Sequence, residues 1–282
     1  MTTPRMLSYI NNDSPIHSLC GATKFIIFLL WSILVMVSFK TPILFALAIM
    51  GIVFFAVSKI RFSDISFIVK IMALFLGLNL AAIYLFSPEQ GVKIYQTRHI
   101  ILEGQGRFTL TAEQLFYELN ILLKYISIIP PAILLIVTTN PSEFAASLNR
   151  IGVPYTAAYA VSLTLRYIPD IQRDFEAISQ SQQARGLELS RKASWVKRLK
   201  RMTPLLFPLI FSSIERIDVI SRAMELRRFG KNKKRTWYSA RLFSRADKAA
   251  LIISALLFAA GIWVTFRGGG RFFNPFEYII LK

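Results

Sequence analysis

The chain has 282 residues, 54% of them hydrophobic, and a mean hydropathy of +0.47. That balance excludes an ordinary soluble domain and points to the bilayer as solvent. A net charge of +18, from 34 basic and 16 acidic residues, leaves nucleic acid, anionic lipid and positive-inside topology open, while a single cysteine excludes an intramolecular disulfide.

The N-terminal segment "MTTPRMLSYINNDSPIHSLCGATKF" has no short basic start, apolar core and small-residue cleavage site, so the first apolar run is expected to stay in the mature protein. A spanning helix needs about 20 mostly apolar residues. Phe25 to Phe39 with its flanks, Pro42 to Ser58, Phe67 to Phe86, Ile121 to Thr139 and Ala249 to Phe266 approach or meet that length, which predicts five spans. Only Lys40 and Thr41 separate the first two, a pattern that predicts a tight hairpin, and Lys59 and Arg61 mark the next turn as cytoplasmic. Residues Ser87 to Ala112 then lie outside. Lys70 and Lys124 interrupt apolar runs, and snorkelling to the interface is the expected explanation. Pro130 and Pro131 predict a kink held by neighbouring helices.

From Asn140 to Lys248 the pattern turns amphipathic. "NPSEFAASLNRIGVP" predicts a short helix with Ser142 near its N-cap, ending at Gly152 and Pro154. The segment Tyr155 to Leu165 is short for a span and suits the membrane interface, leaving open whether it crosses or lies flat. Ile171, Phe175 and Ile178 form a helical stripe whose continuation reaches Arg185, with Gly186 as the stop. After a basic linker, "RKASWVKRLKR", a second amphipathic helix is expected from about Pro204, with Ile210, Ile214 and Ile217 in one stripe and Arg227, Arg228 and Gly230 at its end. The stretch Arg185 to Lys248 carries 18 basic and 5 acidic residues, so it is expected to face the cytoplasm. These shifts divide the chain into N-terminal spans (1–139), a coupling region (140–248) and a last span with its tail (249–282).

An arginine in a last helical turn lies near orphan carbonyls and the negative dipole end, so simple capping explains one occurrence. A guanidinium there is also a planar multi-donor plug for a partner's carboxylates and carbonyls. Its recurrence on a similarly built helix favours a partner with two similar recesses.

Four stretches in order, "GATKF", "NRIGVPYTAAYAVSLTLRYIPDI", "QQARG" and "AMELRRFG", resemble the T component of energy-coupling-factor (ECF) transporters, prokaryotic importers of vitamins and transition-metal ions. The resemblance implies an all-α polytopic protein of the prokaryotic inner membrane, in complex with two ABC-type ATPase subunits and a substrate-binding membrane S component. It also implies that Ala184, Arg185 and Gly186 form one ATPase-docking motif and Leu226, Arg227 and Arg228 the other. The family's usual Ala-Arg-Gly is altered in the second motif. Helix phase favours Arg228 as its plug, whereas alignment favours Arg227.

No phosphate-binding loop, paired-histidine metal signature or nucleophile elbow occurs, so no catalytic residue, metal or cofactor is expected and ATP chemistry falls to partner chains. A self-contained secondary transporter or channel is the alternative, but the spans offer little polar chemistry for a midplane site. Nucleic-acid binding by the basic stretches is less favoured than a solvated or lipid-facing surface.

Overall fold

The computed structural model describes residues 14–104, 108–186, 195–232, 236–238, 241, 243–267 and 272–276, without side-chain detail at 62–64 and 195–201. The described chain is almost entirely helical, with ten helices and one two-stranded hairpin: α1 (Pro15–Ser18), α2 (Gly21–Val37), α3 (Thr41–Val57), α4 (Phe62–Phe86), α5 (Gln90–Tyr95), β1 (Ile100–Leu102), β2 (Leu110–Thr111), α6 (Ala112–Thr138), α7 (Pro141–Arg150), α8 (Tyr155–Ala184), α9 (Trp195–Leu226) and α10 (Arg245–Phe266). It divides into two compact units, 1–140 with 241–282 and 141–240.

In the first unit, α6 is the central helix, and α2, α3, α4 and α5 pack on it while α10 packs on α2. Among the described residues three helices are long and apolar enough to cross a membrane, Ile65–Phe86, Ala112–Thr138 and Arg245–Phe266; α2 and α3 are apolar but shorter, at 17 residues each. Each of α2 and α3 packs along α6, and the two share a small buried cluster of Trp31, Leu34, Val35, Leu44 and Leu47.

The prolines of α6 explain one polar contact in this core. Pro131 has no N–H to offer the carbonyl of Ser127, four residues earlier, and that carbonyl accepts instead from Trp31 Nε1 at 2.9 Å. The Ser127 hydroxyl lies within donating distance of Leu123 O in its own helix (2.7 Å) and of Leu44 O (3.0 Å), which brings α3 to the same level.

Three lysines follow one rule. A helix C-terminus presents carbonyls without intrahelical partners, and these need donors most where water is scarce. Lys24 Nζ donates to Thr138 O at the end of α6 (2.9 Å), Lys40 Nζ to Val264 O and Arg267 O at the end of α10 (2.7 Å each), and Lys124 Nζ to Met36 O in the last turn of α2 (2.9 Å). Lys124 also lies 3.2 Å from the centroid of the Phe39 ring. Lys124 thus caps a neighbouring helix. At the other end of the helices, Asp247 completes a capping box with Ser244 at the start of α10 and accepts the Cys20 N–H at the start of α2 (2.8 Å).

The stretch read only as an outside loop is ordered around α6. Glu113, fully buried in its first turn, accepts both the backbone N–H of His99 (3.0 Å) and a 2.6 Å bond with His99 Nδ1. Phe276 packs against Tyr95, His99 and Phe116, so the segment after α10 returns to this end of the unit.

In the second unit, α7 starts at Pro141, a residue suited to the first helical position, so Ser142 lies inside the first turn and not at the cap. The helix from Tyr155 runs unbroken to Ala184 through Pro169 and joins two segments read separately from the sequence. Likewise α9 begins at Trp195, inside the stretch expected to be a linker, and passes through Pro204 and Pro208.

Candidate functional site

The three helices of the second unit end in a common geometry. After α7, Gly152 adopts φ +109°, its N–H bonds to Asn149 O (3.2 Å) and the N–H of Val153 reaches back to Leu148 O (3.1 Å). That paired pattern is the Schellman cap, in which the left-handed residue follows the half-helical cap residue. After α9, the N–H of Arg228 bonds to Glu225 O (2.8 Å) and that of Phe229 to Met224 O (2.9 Å), with Arg228 at φ +53°. At the end of α8, Gly186 takes the left-handed slot with φ +89° and bonds to Gln183 O (3.0 Å).

Placed in this frame, Arg185 and Arg227 occupy the same cap position. Arg228 occupies the slot of Gly186, a conformation that costs a residue with a Cβ about 1–2 kcal/mol. Helix phase extrapolated through Ile210, Ile214 and Ile217 favoured Arg228 because it assumed a helix where the chain has already turned. Ala184, Arg185, Gly186, Leu226, Arg227 and Arg228 are all exposed, Leu226 to 86%.

The helices bearing these ends are tied at two points. Arg216 of α9 contacts Asp174 (Nη2 to Oδ2, 2.6 Å) and Asp170 (3.8 Å) of α8, and its guanidinium lies 5.8 Å from the Tyr167 ring centroid. Beyond the second cap, Phe229 packs at a tilt against Tyr155 (5.6 Å) and Tyr159 (4.7 Å), and Trp237 closes the box at 5.3 Å from Tyr155 while its Nε1 donates to Asn149 Oδ1 (3.1 Å). The later residue of α8, Asp174, thus meets the earlier residue of α9, Arg216, and the earlier Tyr159 meets the later Phe229. The two stretches therefore run antiparallel. Arg185 projects past the ion pair in one direction and Arg227 in the other, each 11 residues along its helix, about 16 Å at 1.5 Å per residue.

The apolar stripes are not consumed within this unit. Ile171 on α8 and Phe207, Ile210, Phe211, Ile214 and Ile217 on α9 are 41–62% exposed. Among the described residues no group of three His, Cys, Asp or Glu side chains is placed to hold a metal.

The family model described as CbiQ, cobalt transport protein, matches residues 12–238. The chain belongs to the T-component family of ECF transporters. Curated relatives named energy-coupling factor transporter transmembrane protein EcfT include those of Limosilactobacillus fermentum (29% identical, covering 90% of this chain and 96% of the relative), Streptococcus thermophilus (29%, 86% and 92%) and Thermosediminibacter oceani (28%, 92% and 96%). As a T component the protein is a membrane subunit of a transporter, and its relatives are named for transport, not for an enzymatic activity.

Sequence reasoning located both arginine ends but missed what joins them. Arg216 lies some 40 residues from Asp170 and Asp174, and Tyr155, Tyr159, Phe229 and Trp237 lie too far apart in the chain to register as a cluster. The equal offset from Asp174 to Arg185 and from Arg216 to Arg227 was visible in the sequence once the pairing is known.

Proposed function

We propose that this T component is the non-enzymatic coupling subunit of an ECF-type importer of the prokaryotic cell membrane, with its second unit on the cytoplasmic side. Two ABC-type ATPase subunits dock on the α8 and α9 ends, with Arg185 and Arg227 as the inserted plugs, flanked by Ala184 and Gly186 and by Leu226 and Arg228. The observation that carries this reading is the identity of cap position and register: the same residue type, in the same half-helical slot, at the same distance from one ion pair. A symmetric pair of ATPases requires two such ends facing apart.

ATP-driven approach of the ATPases would then act on α8 and α9, whose exposed apolar faces suit contact with a separate substrate-binding S component. Vitamins or transition-metal ions are the cargo class, recognised by that subunit. The test is purification of the Arg185→Ala, Arg227→Ala double variant in mild detergent. Loss of the co-purifying ATPases with unchanged membrane insertion is expected. An intact, ATP-hydrolysing complex would overturn the reading.

A further inference from the structure

The exposed surface of the β1–β2 pair is apolar: Ile100 (49%), Ile101 (53%) and Leu102 (64%), where a bulge interrupts the pairing, and Phe108 (47%). The side chains it hides are polar, Thr109 and Thr111, the reverse of a hairpin standing in water.

Its depth is set by the two spans it bridges. At the base, Ala112 N–H, the first residue of α6, bonds to His99 O at 2.9 Å and Ile100 pairs with Thr111. Near the turn, Phe108 O accepts from the Tyr84 hydroxyl (3.2 Å) and the two rings lie 6.4 Å apart. Tyr84 lies two residues before the end of α4, whose most apolar stretch has no fully buried residue. The hairpin is thus tied both to the C-terminal end of α4 and to the N-terminal end of α6. Leu85 and Phe86, 59% and 83% exposed, continue the apolar surface. Two strands leave open edges, and unpaired backbone groups cannot enter the hydrocarbon core, so the hairpin stops at the interface.

We propose that residues 100–104 and 108–111 form a membrane-surface anchor, with Ile100, Ile101, Leu102 and Phe108 seated in the headgroup–acyl boundary of the leaflet that holds the C-terminal end of α4. The occupant of this surface is lipid. Side chains inserted in this way lie about 5–10 Å into the boundary.

Nitroxide labels at Ile101→Cys, and separately at Leu102→Cys, test this in the full chain reconstituted into nanodiscs of phosphatidylcholine and phosphatidylglycerol, alone and with its co-purifying proteins. The native Cys20 is buried and does not compete for label. Power saturation with oxygen and a water-soluble nickel chelate should place both labels about 5–10 Å below the phosphates. They should fall between a Gln96→Cys label and a Leu78→Cys label on α4, with or without partners. Nickel accessibility like that at position 96, at both sites and in a variant with unchanged Tm, overturns the proposal. Protection that appears only when partner proteins are present also overturns it, by making the hairpin a protein-docking surface.

Discussion

Arg216 Nη2 lies 2.6 Å from Asp174 Oδ2, and the two residues stand the same 11 positions before Arg227 and Arg185. The pair is about one-third exposed on each side, so its contribution to stability is modest, roughly 0.2–1 kcal/mol. Its geometric effect is larger, because it fixes where two long rods cross. Arg216→Ala is expected to lower Tm slightly and to reduce uptake by reconstituted transporter far more. The exchanged pair Arg216→Asp, Asp174→Arg should recover uptake above either single variant. Equal uptake in the exchanged and single variants would show that the crossing does not depend on this contact.

The two arginines at the second cap should separate cleanly. Arg228→Gly replaces a residue at φ +53° with one that tolerates it, so stability should rise by about 1 kcal/mol without loss of ATPase attachment. Arg227→Ala should weaken attachment with little change in Tm. Thermal unfolding and co-purification measured on the same two preparations check both halves.

Loss of the aromatic box should affect one end only. Phe229→Ala removes the ring contacts with Tyr155 and Tyr159 and should cost about 1–3 kcal/mol locally. Hydrogen exchange should rise across residues 224–232 while the end of α8 stays protected. Native mass spectrometry should then find complexes that have lost one of two ATPases.

In the membrane unit, Trp31→Phe preserves the ring but leaves the Ser127 carbonyl without the donor that Pro131 cannot supply. A destabilisation of about 1 kcal/mol is expected, read from thermal unfolding in detergent. A Pro131→Ala, Trp31→Phe double variant should recover part of it, because alanine restores the helical donor.

Apolar runs, the Gly152 and Gly186 stops and the paired arginine ends were legible because each is a local signal. Prolines misled where they are tolerated inside helices: Pro169 divided α8 into two readings, and Pro204 was taken for a start although α9 begins at Trp195. Long-range pairs were illegible, since nothing near Lys40 in the chain announces Val264 and Arg267, and nothing near His99 marks Glu113 as its buried acceptor. The hairpin was missed because three strand residues beside a turn carry too short a period to register.

The measurement closest to the central claim places a photo-crosslinking p-benzoylphenylalanine at Ala184 and, separately, at Leu226, the last helical residues before the two cap arginines. In membranes containing the whole transporter, each site is predicted to yield an adduct with an ATPase subunit. Adducts confined to this chain or to lipid at both sites would contradict the claim that the two helix ends are docking plugs.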